Sequence, residues 1–368
     1  MWTPWRKVKQ PKPAKSPEER VQRFLADYQE QWKAAGPLHA RAEQRDEVFE
    51  VFFPQWRDLL KPVKQHHFTD TSACELGGSF GSRPEYASKP EEHIRSETDG
   101  DTTFVLFGND DGTHGRFHEY VVHAQDGDFK IFNIVVHYSD PALPFVDAAT
   151  IATRQRDCAA DAALIPLPEY EAFIDEIRNF TDREVCDPDD GEVTQTQVSR
   201  VGELTTSSGV LSVWDFGWDN DDTRPLARTV PPGTYPVDRV TAFGRNAAVR
   251  VLFNDNPPVS WNLANPVGEE NDTVGVDHGC ICIVDFAAYS AMTPRDKNTA
   301  YEALDDATRP AVTQFPLEGS NIGFACDSGW GDGSYPVYWG LDTHGHIAQL
   351  VVDFSVLVRD DNGQHRHL

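Results

Sequence analysis

Four aspartates, Asp277, Asp285, Asp327 and Asp332, lie close to glycines in the C-terminal half of the chain. Carboxylate oxygens are hard ligands. If Asp277 met the Asp327–Asp332 stretch in space, the group could hold Ca²⁺ or Mg²⁺. A pair of them could instead divide acid and base roles, as glycosidases do. Aspartate in a glycine-rich turn ordinarily caps the backbone, so no metal, cofactor or catalytic group is assigned, and the four remain an alternative catalytic set. Cys280 and Cys282 alternate onto one face of a strand. With His278 and Cys326 they could be imagined around zinc, but no Cys-x₂-Cys or paired-His spacing accompanies them. Buried thiols are the expectation. His344-Gly345-His346 reads as an exposed turn and His365-Arg366-His367 as a frayed end. No P-loop or dinucleotide glycine motif occurs.

A second pattern suits recognition better than chemistry. The stretch from Trp214 to Asp222 interleaves Trp214 and Trp218 with Asp215, Asp219, Asp221 and Asp222. Aromatic anchors ringed by carboxylates suit a basic partner groove. Charge along the chain agrees. Residues 1–160 carry 20 Lys+Arg and 25 Asp+Glu, whereas residues 161–368 carry 13 and 34. A single-sign acidic half repels nucleic acid and anionic membrane and speeds encounter with basic proteins. Plain solubility is the other use of such charge.

The 368 residues suggest two domains. The N-terminus is basic and proline-rich, without a secretory apolar core, and no run of about 18 apolar residues exists. Six cysteines in a chain of this length do not form a disulfide framework. Together these features lead to the expectation of a cytoplasmic protein.

After a tail over 1–17, apolar spacing predicts two helices within 18–62. Gly36-Pro37 should separate them and Lys61-Pro62 should end the second. Strands follow at 102–107, 116–123 and 129–138, with turns at Asn109–Gly112 and Gln125–Asp128. Helices followed by a meander make an α+β domain over 18–160. On one of its strands His118 and Tyr120 share a face opposite Glu119 and His123, and His66-His67 falls in a loop. No acid–base constellation is evident. The run Leu60-Lys61-Pro62-Val63, then Phe80-Gly81-Ser82-Arg83-Pro84-Glu85-Tyr86, then the meander ending Phe129-Lys130-Ile131, resembles the NTF2-fold immunity proteins of bacterial toxin systems. The resemblance covers about residues 20–140. It implies a cone of curved antiparallel sheet around helices, and a role in binding a toxin.

A helix is predicted over Glu169–Phe180 and an acidic linker over 181–196, so that 161–196 joins the two domains. Residues 197–360 show short β-type runs cut by Pro, Gly and Asp, with one helix over Thr293–Ala307, and read as a mainly-β, sandwich-like or barrel-like domain ahead of a tail at 361–368. One phrase occurs twice, as Gly233-Thr234-Tyr235-Pro236-Val237 and Gly333-Ser334-Tyr335-Pro336-Val337. Each leads through a Gly-containing turn into a second strand. The two stretches differ by about one residue, as a bulge would produce. A pseudo-twofold pair of hairpins is one reading, and a chance echo of a strand-start phrase is the other. Ser328-Gly329-Trp330-Gly331-Asp332-Gly333, continuing through Tyr338-Trp339-Gly340 to Leu350-Val351-Val352-Asp353-Phe354, resembles a bacterial domain family of unknown function, over about residues 198–358. That resemblance implies no activity. The combined expectation is an immunity protein that binds and neutralises a cognate, basic, cytoplasm-acting toxin such as a nuclease. The alternatives are an enzyme using the aspartates in the β domain, or a non-catalytic scaffold.

Overall fold

The computed structural model describes residues 12–87, 91–109, 117–189, 191–217, 223–268 and 273–368. The chain divides into two compact units, Met1–Pro141 and Ala142–Leu368. It is mixed α+β, and the second unit is mostly β.

The first unit begins with α1 (Pro17–Glu43), capped by Ser16, whose hydroxyl accepts from the Glu19 backbone N–H. The helix runs through Gly36-Pro37 instead of breaking there. Its buried stripe of Val21, Phe24, Leu25, Tyr28, Ala35 and Ala42 continues across the proline, and that packing outweighs one lost hydrogen bond. A π-helical turn, Val48–Phe52, leads into α2 (Phe53–His67), which likewise continues past Pro62. His66 and His67 therefore sit in its last helical turn, not in a loop. The meander has four antiparallel strands in sequential order: β1 (Glu91–Asp99), β2 (Thr102–Asn109), β3 (Phe117–Gln125) and β4 (Asp128–His137). Asp126 and Gly127 both take positive φ, as a two-residue hairpin requires. The other expected turn, Asn109–Gly112, lies largely outside the described residues. Helices and sheet share one core, with Phe24, Tyr28, Trp56, Phe107, Tyr120 and Ile131 at its centre.

In the second unit a curled antiparallel sheet of twelve strands carries most of the chain. Its main strands are β5 (Gln197–Thr206), β6 (Leu211–Asp215), β7 (Gly233–Ala242), β8 (Arg245–Leu252), β9 (Cys280–Asp285), β10 (Val312–Pro316), β11 (Ile322–Asp327), β12 (Gly333–Leu341) and β13 (Ile347–Asp353). Between β9 and β10 lie α3 (Phe286–Ser290) and α4 (Pro294–Asp305). Thr293 and Asp296 close the capping box of α4. The segment expected as a helix over Glu169–Phe180 forms only two 3₁₀ turns, Glu169–Glu171 and Glu176–Arg178. Its apolar spacing suits a helix, but Glu171 and Glu176 are drawn inward, which breaks the period. Residues 181–196 carry a short hairpin, Glu184–Cys186 with Val193–Gln195. The C-terminal His365–His367 is not frayed: it pairs with Val358–Asp360, and His367 is buried.

The repeated phrase opens two equivalent hairpins, β7–β8 and β12–β13, which lie side by side through β8 and β13. Arg250 faces Val351 across that seam. Val249 faces Val352 and Val251 faces Leu350, so the pairing is symmetric about the Arg250–Val351 pair. Each hairpin shifts register at the same point, Val240/Thr241 and Gly340/Leu341. The extra residue of the second hairpin therefore sits in its turn: four residues, 242–245, lie between the pair Thr241–Asn246, and five, 342–346, between the equivalent pair Leu341–Ile347. The tyrosines match as well. Tyr235 Oη donates to Pro231 O at 2.5 Å and Tyr335 Oη to Gly331 O at 2.8 Å, each four residues back. Tyr235 packs edge-on to Phe253, and Tyr335 edge-on to Phe354.

Candidate functional site

No three of the four aspartates singled out by sequence bring carboxylate oxygens within 4.8 Å of one another. Asp285 is buried at the end of β9. It caps α3 through the Ala288 N–H and accepts from Thr206 Oγ1 at 2.6 Å and Ser208 Oγ at 2.7 Å. Asp327 accepts from the Ala311 N–H at 2.6 Å and pairs with Arg309. Asp277 and Asp332 are exposed. Two of the four thus hold backbone and hydroxyl donors, the capping role of turn aspartates. The glycine-rich stretch around Asp332 is architectural too. Gly329 has φ +61, and a Cβ there would lie 2.7 Å from both Asn246 O and Phe354 Cβ. Cys280 and Cys282 do share a face, within a cluster containing Phe216, Tyr289 and Phe315, but Cys326 belongs to the core on the sheet's other side. Burial pushes the Cys282 thiol up to about 12. These thiols are packing residues.

Trp214 and Asp215 belong to β6. Trp214 is half-buried against the Cys280–Cys282 cluster. Asp215 holds His278, with Oδ2 at 2.8 Å from Nδ1 and Oδ1 accepting from the His278 N–H at 3.3 Å. Trp218, Asp219, Asp221 and Asp222 lie outside the described residues. The His278 ring lies flat over Gly217, where any Cβ would approach it within 2.6 Å. The carboxylate fixes the proton on Nδ1 and leaves Nε2 as the basic nitrogen. This is the orienting half of a nucleophile-activating system. Cys280, two residues on, does not complete it: its Sγ donates to Phe216 O and His278 O, and burial pushes its thiol well above the usual range.

Two buried acid–base networks in the first unit escaped sequence reading. In one, Arg20 is fully buried and its guanidinium chelates Asp128 at 2.5 and 2.7 Å and donates to Phe129 O. Its Nη1 also reaches His67 Nδ1 at 3.2 Å and His66 Nε2 at 3.4 Å, and His67 Nε2 meets Asp27 Oδ2 at 2.8 Å. Burial lowers the pKa of both histidines, that of His66 to about 4, and the hydrogen bond from His67 lowers that of Asp27. Asp27, His66 and His67 have the atoms and spacing to hold a metal ion. Arg20 argues against one. Since Arg20 donates to His67 Nδ1, the ring's single proton sits on Nε2, pointing at Asp27, where a metal would have to bind beside a guanidinium. The signal that could have found this network is on α1: Arg20 and Asp27 share the face of Phe24, a polar pair inside an apolar stripe.

The second network centres on Glu91, which accepts from Tyr120 Oη at 2.8 Å and from the Ala87 N–H, and lies 3.1 Å from His118 Nδ1. On the strand's other face Glu119 lies 3.5 Å from His137. All five titratable side chains are buried.

The second unit also has a buried polar cluster, but a differently built one. Glu176 and Asp353 are both buried and hydrogen-bonded to each other. Burial, and then each other's charge for Glu176, raises both above the carboxylate range. Asn179 donates to Glu176 at 2.8 Å and accepts from His367 Nδ1, while His367 Nε2 accepts from the Asp175 N–H. Those roles make His367 neutral, and its pKa is lowered to about 4 by burial. One proton shared between two carboxyls replaces a countercharge.

A cavity of about 540 Å³ opens between α3, α4 and β10. Phe315, Leu317 and Met292 form its apolar walls, Ala300 and Ala303 line it from α4, and Asp296 and Glu318 are the charged residues among its described lining.

Residues 204–352 match the family model described as "Protein of unknown function (DUF4241)". No curated protein and no solved structure matches the chain. No helix among the described residues is long and apolar enough to cross a membrane.

Proposed function

We propose that this chain is a bacterial immunity protein that binds a basic, cytoplasm-acting toxin, such as a nuclease, and blocks it without chemistry of its own. In this reading the first unit is an NTF2-like cone. The observation that carries the proposal is charge: Ala142–Leu368 holds 36 Asp and Glu against 15 Lys and Arg. Such a surface accelerates encounter with a basic protein and competes for the groove that would hold nucleic acid. Three buried ionisable clusters agree, because they are closed on themselves: Arg20 with Asp128, Glu91 with Tyr120, Glu176 with Asp353. The test is co-expression with the protein encoded beside it. Rescue of growth and co-purification of a salt-sensitive complex are expected; cell death with no complex formed would end the proposal.

A second reading is favoured by one specific observation, the Asp215–His278 dyad. An imidazole oriented by a carboxylate can serve as a general base. If the second unit is a hydrolase, His278→Gln abolishes its activity. If the chain acts by binding, His278→Gln leaves toxin protection intact.

A further inference from the structure

The wall of the 540 Å³ cavity contributed by α4 is a single helical face. Asp296, Thr299, Ala300 and Ala303 are spaced i, i+3, i+4 and i+7, so they lie in line along the helix. Three of the four are small, and Ala288 and Ala291 continue the small surface around α3. Small side chains let a second helix approach closely. The apolar depth is real: Phe315 is buried and stacks on Phe216 with ring centroids 5.1 Å apart. Thr299, Ala303 and Glu318 are exposed at the mouth.

Among the described residues that line this groove, the charged ones, Asp296 and Glu318, are both acidic. Past Ala303, α4 ends in Asp305, which pairs with Arg309 at 2.7 Å, followed by Asp306. An acidic ligand, or a second copy of a chain with net charge −26, would be repelled.

We propose that this groove is an anchor site for a basic amphipathic helix of the partner protein, its aliphatic side chains entering the cavity and its Lys and Arg side chains meeting the carboxylates at the rim. The proposal rests on the binding function above and names the site where binding occurs. It commits the partner to an exposed helix with an aliphatic stripe flanked by cations.

The probe is a synthetic 18-residue helical peptide with leucines on one face and lysines elsewhere, titrated calorimetrically into the full-length protein. A control peptide has glutamate for every lysine. One-to-one binding of the lysine peptide is expected, weakening with salt. Ala303→Trp should fill the groove and weaken binding at least tenfold, and Glu318→Lys should weaken it several-fold. Both positions are exposed, so melting curves should not change; should Ala303→Trp unfold the protein, Thr299→Trp takes its place. Equal affinity of wild type and groove variants overturns the site, as does equal binding of the glutamate peptide. The two proposals fail separately. Peptide binding without a toxin complex leaves the groove and removes the toxin. A toxin complex indifferent to Ala303→Trp leaves the toxin and removes the groove.

Discussion

Both units match buried carboxylates with opposite charges, the second at Asp238 with Arg200 and Arg250, but the second also buries a carboxyl pair without a cation. In Met1–Pro141, opposite charges and polar partners are matched across the core: Arg20 holds Asp128, His67 holds Asp27, and Tyr120 and His118 hold Glu91. In Ala142–Leu368 the buried carboxyls Glu176 and Asp353 meet each other, and a shared proton does the work of a cation. The first solution depends on long-range ion pairs and leaves little charge unspent. The second places a carboxyl pair inside that shares one proton, within a unit of 36 Asp and Glu against 15 Lys and Arg. The proposed recognition of a basic partner is assigned to this second unit and its groove.

The comparison breaks most readily at Arg20. Removing one member of a buried ion pair costs about 3–5 kcal/mol, because the other is left uncompensated. Arg20→Ala should therefore unfold the first unit well before the second. Hydrogen exchange on the full chain would show α1 and α2 losing protection while β12 and β13 keep theirs. Uniform loss across both units would mean that they do not fold as separate bodies.

A smaller effect tests the hairpin pair. Tyr335→Phe removes one hydrogen bond and should cost about 1 kcal/mol. Tyr335 is buried, whereas Tyr235 is half-buried, so Tyr235→Phe should cost less. If the two tyrosines were decorative, neither substitution would shift a denaturation midpoint.

The smallest effect is on pH response, where the two units should differ in sign. His66, His67 and Asp27 have folded pKa values below their ordinary ones, so their contribution is present above those ordinary values and lost as pH falls. For His66 the window runs from about 6.5 down to about 4. Glu176 and Asp353 have raised values. Their contribution is complete below the ordinary carboxylate range, about 4, and is lost as pH rises through the folded values. Between pH 7 and pH 5, exchange protection should fall at the end of α2 and rise around β13 and His367. Movement of both in the same direction would remove the contrast.

Much of the second unit was legible from sequence because its strands are short β-type runs cut by Pro, Gly and Asp, and its turns carry glycine where positive φ is needed. Thr293 and Pro294 announced α4, and the doubled Tyr-Pro phrase announced two hairpins. Legibility failed where tertiary contacts override local pattern. β1, Glu-Glu-His-Ile-Arg-Ser-Glu-Thr-Asp, has almost no apolar alternation and is recruited by pairing with β2. The 169–180 segment has helical spacing, yet Glu176 turns in to meet Asp353, far along the chain. The networks around Arg20 and Glu91 join residues dozens of positions apart; only the polar pair Arg20 and Asp27 on the apolar face of α1 hinted at the first. The groove was invisible for another reason: its α4 wall is built from alanine and threonine, which carry no chemical signature.

The most direct test measures the affinity of the full-length protein, and of two variants, for the basic partner proposed above. Ala303→Trp fills the groove of the second unit. Phe49→Glu changes the most exposed apolar side chain of the first, 80% accessible. The account predicts that Ala303→Trp weakens the complex at least tenfold while Phe49→Glu leaves it unchanged. Loss of binding in Phe49→Glu, with Ala303→Trp binding as wild type does, would contradict it.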